Sequence, residues 1–321
     1  MKKRILYLIN PHSGVGKKTS IEKEIVQRTD PDYVDYDIQY TKYAGHATEI
    51  VKAQRDEFDV IVAVGGDGTV NEIGTGLIGS QTKMGIIPCG SGNGLARELD
   101  IPLRPRQAVD VINQTCSKSI DVMLFDGRYS LNVAGVGFDA YISHQFAKVK
   151  TRGPMKYINI IMREYPKYEA ANYTLEIDGN TFERKAFLIS FANSSQWGND
   201  VHIAPNALMD DGLIDVCVIS EFPNIAIPSL LFSLFNQSIE KNKYDEIIRA
   251  RSIKIVSDQE MFAHADGEPI IIGPNSVIEI KPLALNVVVP GPDFFKTSRF
   301  KPSAIKEKLH SSLSQLPFVR K

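Results

Sequence analysis

Val60-Ile61-Val62-Ala63-Val64-Gly65-Gly66-Asp67-Gly68-Thr69 is the stretch whose reading decides the fold. Five consecutive apolar residues, four of them β-branched, suit a parallel strand buried on both faces. Glycines then turn the chain, and a helical pattern continues through Asn71 and Ile73. The same unit recurs on either side. Upstream, Ile5 to Ile9 is a short apolar run closed by Asn10-Pro11-His12-Ser13-Gly14. A helical pattern from Lys17 to Arg28 follows, with Ile21, Ile25 and Val26 on one face, then an alternating strand from Val34 to Tyr40 and a helix from His46 to Gln54. Downstream, Met84 to Pro88 ends in Cys89-Gly90-Ser91-Gly92-Asn93-Gly94. Strand–loop–helix repetition at this spacing predicts a parallel sheet with helices on its faces.

The character changes after about residue 125. Strand patterns dominate: Leu131 to Val136, Tyr173 to Ile177, Phe187 to Phe191, Ile214 to Ile219, Ile253 to Val256, Val277 to Ile280 and Asn286 to Val289. Asp178-Gly179-Asn180 reads as a hairpin turn, and helical patterns intervene near Met155 to Tyr165 and Ile225 to Ile239. The chain of 321 residues exceeds one ordinary core. The expected organisation is a Rossmann-like α/β domain over 1–125, a mostly β sandwich over 126–295 and a C-terminal tail over 296–321.

Net charge is −1, so a whole-protein attraction to nucleic acid is not expected. Cys89, Cys116 and Cys217 are far apart and form no metal or disulfide spacing. The apolar run after Met1-Lys2-Lys3-Arg4 is too short for a signal sequence, and the Ile225 to Phe235 stretch too short to span a bilayer. A cytoplasmic location is the expectation.

Three loops leave carboxyl ends of predicted strands, at Asn10–Gly14, Gly65–Thr69 and Gly90–Asn93. That edge of an open α/β sheet is where ligands bind, and glycines let backbone N–H groups approach an anion. A carboxylate inside such a cradle repels phosphates unless a divalent cation intervenes, so Asp67 reads as a Mg²⁺ partner; the alternative is a cap on the helix that follows. A P-loop is excluded, because it requires Gly at 11 and Ser or Thr at 18 where Pro11 and Lys18 stand. Gly135 to Ala140 matches G-x-G-x-x-A but lacks a clear βαβ context. Asp266-Gly267-Glu268 alone reads as a β-turn, as does Asp210-Asp211-Gly212. Asp139 either orients an acceptor hydroxyl or caps the stretch after it, and His264 reads as a strand residue.

Taken in order, Asn10-Pro11-x-Ser13-Gly14, Gly65-Gly66-Asp67-Gly68-Thr69-x-Asn71-Glu72, Gly90-Ser91-Gly92-Asn93, Asn132-x-x-Gly135-x-Gly137-x-Asp139, Asp211-Gly212-Leu213-x-Asp215 and Asp266-Gly267-Glu268 resemble the diacylglycerol kinase-like lipid kinases, which include the sphingosine kinases. The Gly-Gly-Asp-Gly-Thr element is shared with NAD kinases and 6-phosphofructokinases. The resemblance implies a nucleotide-binding α/β domain and a β-sandwich that holds a lipid. It implies ATP binding by Asn10, Pro11, His12, Ser13, Gly14, Thr41, Gly65, Gly66, Asp67, Gly68, Thr69, Val70, Asn71 and Ser91, with Asp67 and Glu268 as the catalytic carboxylates and Glu268 as proton acceptor. It further implies a structural Mg²⁺ at Asp211 with the backbones of Leu208 and Leu213, and a lipid head group near Asp139.

The acceptor is less sharply written. Gly90-Ser91-Gly92-Asn93 looks more like the sphingosine kinase form, whereas the Gly65 loop follows the broad diacylglycerol kinase pattern. Diacylglycerol is the family's default, a sphingoid base the alternative. A kinase of a soluble acceptor such as NAD, or a non-catalytic regulator, are readings of other classes. The tail carries Lys296, Arg299, Lys301, Lys306, Lys308, Arg320 and Lys321 against Glu307, with Ile305, Leu309, Leu313 and Leu316 at helical spacing. Such a segment suits either peripheral contact with an anionic membrane face or packing on its own protein or a homodimer mate.

Overall fold

The computed structural model describes residues 2–13, 18–114, 116–149 and 154–294. Gly14 and the tail over 296–321, with the expectations placed on them, lie outside the described residues. The first half alternates β1 (Lys3–Ile9), α1 (Lys18–Arg28), β2 (Val34–Tyr40), α2 (His46–Gln54), β3 (Val60–Gly65), α3 (Asp67–Leu77) and β4 (Lys83–Pro88), then α4 (Gly94–Glu98) and α5 (Pro105–Gln114). Strands pair in parallel in the order β2-β1-β3-β4.

Burial explains the continuous apolar runs. Along β1, Leu6 and Leu8 face a core with α2, α3 and α4, while Ile5, Tyr7 and Ile9 face a core with α1 and α5. Along β3, Ile61 and Ala63 face the first core, and Val60, Val62 and Val64 the second. A strand covered on both sides cannot alternate apolar with polar. Strand order reverses at β1, which has β2 on one side and β3 on the other. The crevice at the carboxyl ends of β1 and β3 is therefore the topological switch point where such sheets bind ligands.

The second half contains β5 (Ser117–Phe125), β6 (Arg128–Ser130), β7 (Val133–Gly137), α6 (Phe138–Ala147), α7 (Pro154–Glu164), β8 (Ala171–Ile177), β9 (Asn180–Ala192), β10 (Gln196–Gly198) and β11 (Val201–His202). It continues with β12 (Ile214–Ser220), α8 (Ile227–Phe235), β13 (Asp245–Ala250), β14 (Ser252–Val256), β15 (Met261–Ala265), β16 (Glu268–Ile272) and β17 (Ser276–Val288). Pairing here is antiparallel, apart from the parallel bridge Val287↔Met84 that joins β17 to β4. Inward residues of these strands, including Phe125, Val136, Leu175, Phe191, Val216, Ile253, Ile270 and Ile278, share one sandwich core. A fourth, aromatic-rich core lies between this sheet and the helices α6, α7 and α8, built on Phe138, Ile142, Phe187, Leu230 and Leu234.

Two readings differ from the fold. Strands expected separately at Val277–Ile280 and Asn286–Val289 are one strand, β17, with an irregularity between Lys281 and Leu285 where Leu283 adopts a left-handed φ of 49°. Pro282 lies within that irregularity, where the pairing register with β5 shifts and the strand continues. The helix α6 was not expected, because its apolar positions mix with Asp139, Ser143, His144 and Gln145 and give weak periodicity. The α/β and β halves are joined through the parallel bridge between β17 and β4: among the described residues, fifteen strands form one continuous hydrogen-bonded sheet. The Asp178-Gly179 hairpin is as expected, with Ile177 paired to Asn180 and φ of 45° and 86° at the two central residues.

Candidate active site

The β3–α3 loop and the β4–α4 loop pack backbone to backbone. A Cβ on Gly90 would stand 2.7 Å from the Cα of Gly66, so the β4–α4 loop admits no side chain there without a shift, and a Cβ on Gly66 would be a tight 3.2 Å from the Cα of Gly90. Asp67, the first residue of α3, spends its carboxylate on the neighbouring loop: Oδ1 accepts the N–H of Gly94 at 2.7 Å, and Oδ2 that of Asn93 at 2.9 Å. It therefore caps α4, whose N-cap is Asn93, and not its own helix. Burial pushes the Asp67 carboxyl above its ordinary value, the two N–H groups pull it down, and the charge of Asp266 pushes it up again.

The β1–α1 loop joins the same cluster. Asn10 Nδ2 donates to Thr69 Oγ1 at 3.1 Å, and Asn10 Oδ1 accepts the N–H of His12 at 2.9 Å. Ser13 Oγ donates to the carbonyl of Asn10 at 3.0 Å. Pro11, His12 and Ser91 are exposed at this edge. Thr41 is buried at the end of β2, its N–H donating to the carbonyl of Ile9 at 3.0 Å. Two of the expected nucleotide contacts point elsewhere. Val70 is a core residue whose N–H serves the carbonyl of Gly66. Asn71 directs its amide N–H groups at the carbonyl of Tyr129 (2.9 Å) and at Asp266 Oδ2 (2.8 Å), tying α3 to the second half of the chain.

Asp266-Gly267 forms a two-residue turn between β15 and β16, with Ala265 paired to Glu268. Both turn residues are left-handed, with φ of 50° and 80°, as a tight hairpin turn requires. The Asp266 carboxylate collects five hydrogen bonds. Oδ1 accepts from Ser130 Oγ (2.7 Å) and the N–H groups of Asn132 (2.8 Å) and Val133 (3.3 Å); Oδ2 accepts from Asn71 Nδ2 and the N–H of Leu131 (2.9 Å). Those bonds fix the turn against the β6–β7 connection and α3. Glu268 follows at once; it is exposed, and its carboxylate lies over the glycine-rich loop, with Oε1 at 3.5 Å from where a Cβ on Gly68 would stand.

A chain with two matched family models carries these two turns. The diacylglycerol kinase catalytic domain matches residues 4–125, and the YegS C-terminal NAD kinase β-sandwich-like domain matches residues 132–289. A diacylglycerol kinase of Staphylococcus aureus is 30% identical over 283 residues, covering 84% of this chain and 87% of that protein. The chain belongs to the diacylglycerol kinase family, and it is a kinase. A solved Bacillus anthracis structure described as a diacylglycerol kinase superposes with a TM-score of 0.69 at 23% identity, covering 91% of this chain and 98% of that one. A candidate diacylglycerol kinase of the same organism gives 0.73 at 26%, covering 90% and 97%. These likenesses agree with the family's two-part architecture of an α/β half and an antiparallel β half.

Around the family's late motifs, the structure assigns partners that the sequence does not announce. Asp121, fully buried, accepts the N–H groups of Gly212 and Leu283 at 2.7 Å each and so shapes the Asp210–Leu213 turn. Asp211 Oδ1 accepts the N–H of Leu213 at 3.0 Å, and its Oδ2 pairs with the Arg249 guanidinium. Leu208 is exposed in the same segment. Burial pushes the neighbouring Asp215 carboxyl up to about 6, against the pull of Arg249. Arg97 on α4 reaches across to Asp200 at 3.3 Å. A left-handed Asp-Gly turn is legible at Asp266-Gly267, but the five donors that converge on it are distant in sequence and leave no local signal. Among the described residues, no helix is long and apolar enough to cross a membrane.

Proposed function

We propose that the chain transfers the γ-phosphate of ATP to a lipid hydroxyl, with diacylglycerol as acceptor and phosphatidic acid as product. The observation that carries this reading is the seat of Glu268. An exposed carboxylate from the β half lies directly over Gly68, in the first turn of α3 of the α/β half. Phosphoryl transfer needs positioning, charge neutralisation and a place for the hydroxyl proton. Here the acceptor oxygen attacks the γ-phosphorus, its proton passes to the Glu268 carboxylate, and the bond from the γ-phosphorus to the bridging oxygen breaks to release ADP. The nucleotide lies against the loops at Asn10–Ser13, Gly65–Thr69 and Ser91, with Thr41 beneath them.

When bound, Mg²⁺ supplies charge neutralisation between the phosphates. The residues present fit an ion that arrives largely coordinated by phosphate and water. Among the described residues no group of three or more His, Cys, Asp or Glu side chains could hold a metal, and Asp67 offers one carboxylate whose oxygens already accept N–H groups. A structural Mg²⁺ at Asp211 with the carbonyls of Leu208 and Leu213 has the oxygen donors that suit it, in competition with Arg249 for Asp211. A rise in melting temperature with Mg²⁺ in the absence of nucleotide, lost in Asp211→Ala, checks that site; an unchanged melt removes it.

The acceptor is tested with radiolabelled ATP and Mg²⁺ on micellar diacylglycerol, monoacylglycerol, sphingoid bases and ceramide, with soluble NAD and sugars alongside. Label on diacylglycerol is expected. Label on a sphingoid base alone changes the acceptor and keeps the mechanism, and label only on a soluble compound overturns the lipid reading.

A further inference from the structure

Asp139, Ser190 and His264 form one buried unit across three strands. In the pairing of β9, β7 and β15, Gly135 of β7 faces Ser190 on one side and His264 on the other. Glycine in the middle of that row leaves a gap, and the Asp139 carboxylate, arriving from the first turn of α6, fills it. Its Oδ2 accepts from Ser190 Oγ at 3.1 Å and lies 3.1 Å from His264 Nε2, while its Oδ1 accepts the N–H of Ala140 at 2.7 Å. A Cβ on Gly135 would stand 2.5 Å from Asp139 Oδ2 and 2.9 Å from His264 Nε2, so the row admits only glycine. The side chains of His264 and Asp139 are 5% and 11% exposed. The other ring nitrogen of His264 faces the turn that carries Glu268: the N–H of Gly267 points at Nδ1 over a long 3.4 Å. A proton on Nε2, toward Asp139, leaves Nδ1 as the acceptor that Gly267 needs.

We propose that His264 is a positioning residue for Glu268, anchored by Asp139. The carboxylate selects the tautomer, and the tautomer receives Gly267. Asp266 holds the turn from the side of α3 and the β6–β7 connection, and His264 holds it from within the sheet. The first glycine and the acid of Gly135-x-Gly137-x-Asp139 are thereby explained by the protein's own geometry, and Asp139 is spent on His264 and not on the acceptor head group. The inference rests on the proposed role of Glu268.

A double-mutant cycle on the full chain tests it. His264→Gln keeps a donor for Asp139 and removes the acceptor for Gly267; kcat is expected to fall about tenfold or more, since small misplacements of reacting groups are costly, with both KM values within about twofold. In a Glu268→Gln background the same substitution is expected to add less than about twofold, because a residue that acts through Glu268 has nothing left to position. His264→Asn, whose Oδ1 can replace Nδ1, is expected to recover part of kcat. Asp139→Asn is expected to lower kcat and leave the lipid KM unchanged. Losses that multiply in the double variant, or a raised lipid KM with kcat kept in Asp139→Asn, overturn the proposal while leaving Glu268 in its role. Full turnover by Glu268→Gln alone overturns the reading of Glu268, and this inference with it.

Discussion

Two acidic turns meet at the crevice, and they use their carboxylates differently. In Gly65–Thr69 the only acid is Asp67, and both of its oxygens are taken by the N–H groups of Asn93 and Gly94. In Ala265–Glu268 there are two acids with opposite fates. Asp266 accepts five hydrogen bonds, whereas Glu268 stands exposed over Gly68. A carboxylate saturated with donors builds the site, and one left with open lone pairs is available to a substrate proton. Motif membership alone does not separate the two kinds, since all three acids lie in motifs of the family.

The contrast breaks most visibly at Asp67. In Asp67→Asn an amide N–H must face the N–H of Asn93 or Gly94, and the negative charge at the proposed nucleotide site is lost; turnover is expected to fall on the order of 10²-fold. A Mg²⁺ titration sharpens the result. Recovery at high Mg²⁺ marks Asp67 as a cation partner, and no recovery marks it as the builder of the β4–α4 loop. Asp266→Asn comes next. It replaces an acceptor by a donor in a ring of donors, so a loss of about 2 kcal/mol or more is expected. That corresponds to a melting temperature lower by roughly 4–8 °C, read by thermal denaturation. An unchanged melt means the five bonds contribute nothing to holding the turn.

The smallest effect concerns an acid that belongs to neither class. Neither oxygen of Asp245 on β13 has a hydrogen-bond partner, and burial with the nearby charges of Glu240 and Glu246 pushes its carboxyl from 3.8 up to about 7. Its native form holds a proton that the unfolded chain has already released above about pH 4, so stability falls as pH rises from about 4 to about 7. Asp245→Asn is expected to flatten that slope and to raise the melting temperature at pH 8 by roughly 2–4 °C. An identical pH profile in the variant contradicts the assignment.

Much of this was legible in the sequence, and the remainder has a physical reason for being hidden. Val60–Val64 and Ile5–Ile9 announce doubly covered strands because burial on both faces forbids polar residues. Asp178-Gly179 announces its turn because few residues accept a positive φ. Glu268 is singled out by resemblance alone, and its placement over Gly68 is a property of the fold, since some 200 residues separate them. In the sequence Gly135 matches part of a nucleotide fingerprint; only the lateral row Ser190–Gly135–His264 shows what the glycine makes room for. The partners of Asp266 and the capping of α4 by Asp67 are long-range, and periodicity carries no information about them.

The most direct measurement is the rate of phosphate transfer from radiolabelled ATP–Mg²⁺ to micellar diacylglycerol, for the native chain and Glu268→Gln side by side with matched thermal melts. Labelled phosphatidic acid from the native chain, a rate at least about 10²-fold lower in the variant, and superimposable melts are predicted, because Glu268 is exposed and the role proposed for it is to take the acceptor's proton. Equal rates from the two proteins would contradict the account.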